Sequence, residues 1–195
     1  MNIFALDNDP VKAAQMHCDK HVVKMIVEAA QMLSTAHRMI DGKMEIIQAQ
    51  TPKGLWRKKK VWTHPNKKLD QTLYKVAHPG HPSTKWTMES SANYEWHYQL
   101  FVALCDEYTY RYGKVHKTDT LLRKVLASTP KKIMQWSLTP FALAMKSAPQ
   151  CMDPKNPVAS YRAFYQTKQD RFKMVWTGRK VPRWFNVSSM IQKAA

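Results

Sequence analysis

Six polar residues near the start of the chain recur at alternating spacings of four and three: His17, His21, Lys24, Glu28, Gln31 and Thr35. On a helix that turns about 100° per residue, this spacing puts their side chains on one narrow face. Such a face carries a candidate general acid, general base and nucleophile in register, so we interpret it as the floor of a catalytic cavity. The alternative, a polar face that only contacts water, stays open from the sequence.

His17 and His21 also have the i, i+4 spacing of two metal ligands on a helix, and the third ligand would be Glu28, Glu89 or His97. The segment between the two His lacks the Glu that a zinc protease helix has directly after its first His. A metal site is therefore the weaker hypothesis, and we expect no cofactor.

The polar face must lie on a long helix, because residues 11–40 contain no Gly or Pro and Gly42 can end the helix as a left-handed cap. The other faces of this helix are apolar, so we expect it to be largely buried. Asp19 and His37 point to the apolar side, where a buried charge needs a partner. We predict that they pair with Lys or Arg.

The rest of the chain also favours helices, with a second long helix from Ser83 to Tyr112 ended by Gly113. Residues 44–62 favour a β-hairpin, and MNIFAL at the start favours a short strand or an extended arm. Shorter helices are expected at 68–76, 121–126 and 157–166 and just before Gly178. With 195 residues, 44% of them hydrophobic, and only 5 Gly, we predict a mostly α, single helical domain over 1–195.

The odd number of cysteines, Cys18, Cys105 and Cys151, and the lack of a signal-peptide pattern predict a reducing cytoplasm, that of the host if the protein is phage-encoded. No apolar stretch approaches the roughly 18 residues of a membrane span, so no membrane association is expected.

The charge of the chain points to a polyanionic partner, because 31 Lys+Arg against 14 Asp+Glu leave +17. We expect this partner to be nucleic acid, DNA rather than RNA. The second long helix carries more rings than one core face can hold, so some should be exposed for stacking on bases. The candidate nucleic-acid contacts are Arg57, Lys58, Lys59, Lys60, His81, Trp86, Asn93 and Arg111.

Four features together resemble the phage endonuclease V class of pyrimidine-dimer DNA glycosylases. They are the apolar start MNIF, Glu28 in VEAAQML, His81-Pro82, and the run from Asp106 to Tyr112 that contains Arg111. The resemblance covers roughly residues 1–115. The segment from Thr120 onward, with DPKNPVASYRAFY and VPRWF, is similar to tailed-phage proteins that have no assigned function.

The resemblance implies a helical protein that binds duplex DNA, extrudes a base and attacks the sugar C1′ with an amine, giving a Schiff base and then strand scission. Glu28 matches the carboxylate that stabilises positive charge on the opening sugar. The family's nucleophile is an α-amine exposed by removal of Met. Since Asn2 is too large for normal Met removal, the amine would belong to Met1 or Lys24, or water activated by Glu28 would replace it.

The predicted function is thus a nucleic-acid-processing enzyme, a DNA glycosylase with or without lyase activity at abasic sites. Its predicted catalytic residues are Glu28, Lys24, His21, His17 and Met1. One alternative is a non-catalytic phage protein that binds nucleic acid through charge and rings alone. The other is a metal-dependent nucleotide-modifying enzyme that uses His17 and His21.

Overall fold

Seven α-helices and one two-stranded antiparallel sheet form the regular structure of residues 1–187, the part of the chain that the computed structural model describes. The helices are α1 (Pro10–Met16), α2 (Asp19–Ile40), α3 (Lys67–Thr72), α4 (Pro82–Glu89), α5 (Ser91–Tyr112), α6 (Lys117–Leu126) and α7 (Pro157–Gln166). The strands are β1 (Lys43–Gln50) and β2 (Trp56–Thr63). The expected mostly α fold with one small hairpin is confirmed. Residues 188–195 of the predicted domain lie outside this description.

The first long helix is broken, contrary to the prediction of one helix over 11–40, because His17 and Cys18 adopt extended backbone between α1 and α2. Three distant groups bind the backbone at the break. Arg111 Nη1 donates to the His17 carbonyl (2.8 Å), and the Cys18 N–H donates to the Tyr165 hydroxyl (2.9 Å). The Asp19 N–H donates to the Val175 carbonyl (2.8 Å). Tertiary contacts therefore replace the helical hydrogen bonds at this point.

Gly42 is required after α2 for a different reason from the one expected. Its φ is not positive, so it is not a left-handed cap. A Cβ at this position would lie 2.2 Å from the Arg38 carbonyl oxygen and 2.7 Å from that of Thr63. The close approach of β2 to the end of α2 therefore excludes any side chain here. Gly113, by contrast, ends α5 with a φ of +63°, as predicted.

The second long helix is likewise two helices, α4 and α5, separated by extended backbone at Ser90. The Ser90 hydroxyl accepts the Asn93 N–H (3.1 Å) and so caps α5. Helix α7 has the predicted bounds and the Asn156 cap. The helix expected before Gly178 is wrong: after α7 the described chain has only the 3₁₀ turn Thr167–Asp170 and then irregular backbone.

Helices α2 and α5 pack against each other, and α1, α4 and α6 pack around them. The N-terminal segment 2–6 is buried in this core and forms neither a strand nor a helix. The chain after α7 also reaches the core through Trp176 and Phe185. The two ends of the described chain thus flank α2. Within residues 1–187, no helix has the length and apolar content needed to cross a membrane.

Candidate active site

A cavity of about 370 Å³ opens beside α2, where three distant parts of the chain meet. Its lining residues are Met1, Asn2 and Phe4 from the N-terminal segment, His21, Lys24 and Glu28 from α2, and Ala144, Ser147, Phe164, Lys168, Arg171 and Phe172 from the later chain. Half of the polar face of α2 therefore lines a partly open site that the N-terminal segment and residues 144–172 flank. Three of the predicted catalytic side chains and Met1 are brought together here.

Glu28 is the carboxylate at which the amines of this cavity converge. Its Oε2 accepts the backbone N–H of Asn2 (2.9 Å) and lies 3.8 Å from the Met1 α-amino nitrogen. Its Oε1 lies 3.1 Å from Lys24 Nζ. Only 12% of the Glu28 side chain is exposed, whereas 62% of the Lys24 side chain is. Glu28 is thus fixed from two sides, and Lys24 reaches it from the solvent.

Asn2 holds the N-terminus on Glu28. Its Oδ1 accepts the backbone N–H groups of Ile3 (2.8 Å) and Phe4 (3.0 Å), and its Nδ2 donates to the Ala144 carbonyl (2.9 Å). The turn gives Phe4 a φ of +42°, a left-handed conformation that costs a non-glycine residue about 1–2 kcal/mol. The Phe4 ring stacks on His21 with centroids 4.8 Å apart, which retains it there. Asn2, which is too large for normal Met removal, therefore anchors the N-terminus.

Lys168 is a cavity residue that the sequence reasoning missed. Its Nζ lies 3.4 Å from the centroid of the Phe164 ring. Burial, followed by the nearby charges of Arg171 and Lys24, lowers the pKa of Lys168 to about 8. A lysine whose charge is disfavoured in this way gains from an anion beside it, such as a phosphate. No local pattern marks Lys168, because it reaches the cavity only through the docking of α7.

His21 and His17 are both buried, and neither carries the charge that a general acid needs near pH 7. Burial lowers the pKa of His21 to about 3 and that of His17 to about 4, so both rings stay neutral near pH 7. His21 Nδ1 is hydrogen-bonded to the Tyr165 hydroxyl (2.7 Å). His17 is fully buried and its Nδ1 donates to the Ala13 carbonyl (2.7 Å), away from the cavity. His21 is therefore part of the cavity wall, and His17 is a core residue.

At His17 and His21, the described residues bring no third side chain to metal-ligand spacing. Among residues 1–187, the cluster of His, Cys, Asp and Glu side chains that meets metal-ligand spacing is His37, Asp41 and His64, at the far end of α2. Asp19 does pair with an arginine, as predicted, since its Oδ1 lies 2.9 Å from Arg111 Nη1. His37 does not: its Nε2 is hydrogen-bonded to the Tyr94 hydroxyl (2.9 Å).

Three of the predicted nucleic-acid contacts are buried and cannot reach DNA. Trp86 and Asn93 lie in the core between α4 and the segment near Thr139. The Arg111 guanidinium is enclosed by Glu107, Asp19 and backbone carbonyls. The rings of α4 and α5 mostly fill the core, but Tyr110 is exposed and Tyr98, Tyr108 and Tyr112 are half-buried, so the expectation that some rings are exposed is met at Tyr110.

The predicted basic residues of the hairpin are exposed. Two large apolar side chains at its turn, which the sequence reasoning did not single out, are exposed as well. Arg57, Lys58, Lys59 and Lys60 all face solvent on β2. At the turn, Leu55 and Trp56 are 68% and 69% exposed. His81 caps α4, and the charge of the Met1 amine contributes to lowering its pKa after burial does. His81 therefore lies within electrostatic reach of the N-terminal amine without lining the cavity.

Comparisons with protein-family models, with curated proteins and with solved structures return no match. Function must therefore be argued from the cavity and from the basic surface of the described residues.

Proposed function

We propose that the protein is a DNA glycosylase that removes a damaged or modified base and then cleaves the strand in a lyase step. The observation that carries the proposal is the Met1 α-amino nitrogen 3.8 Å from Glu28 Oε2, in a cavity that opens to solvent. An amine beside a carboxylate is the pair of groups that imine formation at a sugar carbon needs.

In this reaction the free-base amine of Met1 attacks C1′, and the bond from C1′ to the base breaks. The base leaves with the bonding electrons and takes up a proton. The attacking nitrogen then loses a proton, the C1′–O4′ bond opens, and O4′ is protonated, which leaves a protonated imine on C1′. Glu28 stabilises the positive charge on the sugar and carries the proton from nitrogen to O4′. Loss of a C2′ proton then expels the 3′ phosphate, and water hydrolyses the imine.

The cations around the cavity suit the DNA backbone. Lys24, Lys168 and Arg171 line it together with a single carboxylate, Glu28. A nucleotide sugar bound at Glu28 has a phosphate on each side. Positive side chains around the cavity would neutralise these two phosphates. In our proposal Lys24 contacts a phosphate, because its side chain is exposed. It is not the nucleophile, because its ammonium group is already paired with Glu28.

The hairpin supplies a second, larger phosphate-binding surface. In its register Ile46 is opposite Lys60 and Ala49 is opposite Arg57, so Lys58 and Lys60 lie on one face of the ribbon and Arg57 and Lys59 on the other. A two-stranded ribbon fits the major groove of DNA, which has phosphates on both sides. A ribbon that is basic on both faces is complementary to that groove.

Borohydride trapping tests the amine chemistry directly, because reduction converts the imine into a permanent adduct. We expect an adduct between the wild-type protein and a duplex with an abasic site, and its mapping to the peptide that begins at Met1. Glu28→Gln should lower strand cleavage at least about 100-fold, since an amide cannot carry the proton. Glu95→Gln, an exposed change on α5, is the matched control and should cleave like the wild type.

Base release is then measured on duplexes with a pyrimidine dimer, uracil or other modified bases. If no adduct forms and no base is released from any of these duplexes, the proposal is wrong. An adduct that maps to Lys168 would keep the activity but transfer the role of nucleophile to that lysine.

A non-catalytic nucleic-acid-binding protein is the second candidate, and the exposed two-sided basic hairpin favours it. It predicts tight, salt-sensitive duplex binding that Glu28→Gln leaves unchanged, and no base release. The two candidates therefore differ in base release and borohydride trapping, which only the glycosylase shows.

A further inference from the structure

A second cluster of chemically active side chains lies at the C-terminal end of α2, away from the cavity at Glu28. His37 is in the last turn of α2, Asp41 follows it, and His64 comes just after β2. One ligand atom from each of the three lies within 4.8 Å of the others, and all three residues are buried. The cluster joins residues that are four and 23 positions apart in the chain, so the hairpin brings it together.

Two ring nitrogens of this cluster, His37 Nδ1 and His64 Nε2, are buried and lack a well-formed hydrogen bond among the described residues. His64 Nε2 lies 3.9 Å from Asp41 Oδ2, and the Ser128 backbone interacts with the His37 ring. Buried polar atoms normally have a close hydrogen-bond partner, so two weakly paired nitrogens beside one carboxylate call for an explanation. A bound ion shared by all three groups provides one.

The neighbours of the cluster orient it as the outer shell of a metal site does. The Tyr94 hydroxyl is hydrogen-bonded to both the Leu126 carbonyl (3.0 Å) and His37 Nε2 (2.9 Å), so in the tautomer with its proton on Nε2, His37 can bind a metal through Nδ1. The two Asp41 oxygens accept the backbone N–H groups of Lys131 (2.7 Å) and Lys132 (2.9 Å). Such partners fix the tautomer of a ligating His and the direction of a ligating carboxylate.

The cluster also opens to solvent through a cavity of about 750 Å³ that all three residues line. A metal ion can therefore enter, and coordination positions that the protein does not fill face the cavity. Lys68, Lys124, Lys131 and Lys132 line the same cavity. Their positive charge repels any divalent cation, so the affinity must come from the ligands, and two imidazoles favour Zn²⁺ over hard ions such as Mg²⁺.

We propose that His37 Nδ1, the Asp41 carboxylate and His64 Nε2 bind one late first-row divalent metal ion, of which Zn²⁺ is the best match. Two His and one carboxylate with open positions form a recurrent protein ligand set for Zn²⁺. Ligand atoms about 2.1 Å from zinc lie closer together than 4.8 Å, so small side-chain rotations close the site.

Binding of the metal would break one hydrogen bond, the one between the Asn66 N–H and His64 Nδ1. His64 Nδ1 now accepts the Asn66 N–H (3.1 Å), whereas a His bound through Nε2 carries its proton on Nδ1. The Asn66 N–H must therefore move away when the ion binds, and the turn before α3 changes conformation. This gives a signal in the backbone as well as at the ligands.

The test uses the untagged full chain, stripped of metal with a chelator. It is titrated with Co²⁺ by visible absorption and with Zn²⁺ against a chromophoric chelator. We expect one equivalent of each ion, with the intense visible bands of low-symmetry cobalt. In ¹⁵N NMR of the imidazoles, Zn²⁺ should shift the resonances of His37 and His64 and the amide of Asn66.

His64→Asn should weaken Zn²⁺ binding at least about tenfold, because a ligand is removed while the Asn side chain can still accept the Asn66 N–H. His116→Asn is the matched control, since His116 Nδ1 likewise accepts the N–H two residues on (Thr118, 3.1 Å) but lies outside the cluster. His37→Gln is a second ligand variant. The proposal is overturned if the wild type binds no ion, if a folded ligand variant binds like the wild type, or if His37 and His64 do not shift.

Discussion

At the scale of single residues, the cavity depends on amines that reach it by different routes. The Met1 amine arrives through the turn that Asn2 stabilises, Lys24 arrives from the same helix, and Lys168 arrives from the end of α7. Of these, Lys168 has the pKa that burial and neighbouring cations lower to about 8. Its charge therefore titrates in a range where ordinary lysines stay protonated.

This titration predicts that one phosphate of bound DNA is neutralised at pH 7 and not at pH 9. As the pH rises from 7 to 9, Lys168 passes through its pKa of about 8 and releases its proton. The slope of log binding constant against log salt should fall by about 0.9 over this range, the value for one phosphate that is no longer neutralised. The measurement is duplex affinity as a function of salt at both pH values.

Lys168→Arg provides the control, because arginine stays charged at pH 9. Its salt slope should be equal at pH 7 and pH 9. A wild-type slope that does not change with pH would contradict the loss of the Lys168 charge between pH 7 and pH 9 in the complex.

At the scale of elements, the hairpin stands apart from the rest of the fold. Every residue of β1 and most residues of β2 are exposed or nearly so, on both faces of the ribbon. A ribbon that adds little to the core can carry four consecutive basic residues on one strand, since their charges are solvated. Its sequence is therefore free to serve binding, whereas α2 and α5 are constrained by packing.

Replacing Arg57, Lys58, Lys59 and Lys60 together by Gln should weaken duplex binding and flatten its salt dependence, by about 0.9 in slope for each phosphate that the variant no longer neutralises. The free energy of unfolding should change by no more than about 0.5 kcal/mol for each substitution, because the side chains are exposed. Fluorescence anisotropy over a salt series and thermal unfolding measure the two effects.

Lys114→Gln with Lys117→Gln is the comparison, since both lysines are exposed and lie on a different part of the surface. This pair should change duplex affinity much less per charge removed. Equal effects per charge would mean that the net charge, and not the hairpin, determines binding.

At the scale of the whole molecule, several histidines are buried without charge. Burial lowers the pKa of His17 and His37 to about 4 and that of His21 and His97 to about 3, below the usual 6.5. Unfolded chains therefore bind more protons than the folded protein between about pH 4 and pH 6.5. The free energy of unfolding must rise with pH in this window and decrease as the pH falls through it.

The largest slope that one such histidine can add is about 1.4 kcal/mol per pH unit. His97→Gln should accordingly make the pH dependence of stability shallower between pH 6.5 and pH 4, apart from any constant effect of removing its Thr87 hydrogen bond. Urea unfolding at a series of pH values measures it. A variant profile parallel to that of the wild type would contradict the assignment of His97 as a neutral buried group.

The sequence alone determined the features that depend on neighbouring residues. The polar face and apolar surround of α2, the hairpin, the Asn156-Pro157 start of α7 and the glycine end of α5 all follow from short patterns. Helix periodicity, strand propensity and capping act over a few residues, so they can be read without knowing the fold. The expectation that Glu28 would lie with amines in a roofed cavity also rested on such a pattern.

Only the tertiary structure decided what covers that polar face. The break at His17–Cys18, the burial of Trp86, Asn93 and Arg111, and the arrival of Lys168 all depend on contacts between residues far apart in the chain. Such contacts compete with local preferences and can override them, because a buried backbone or charged group must find a partner wherever the fold provides one. The proximity of His37 and His64 is decided in the same way. The hairpin between them brings the two residues together, and its sequence does not predict this.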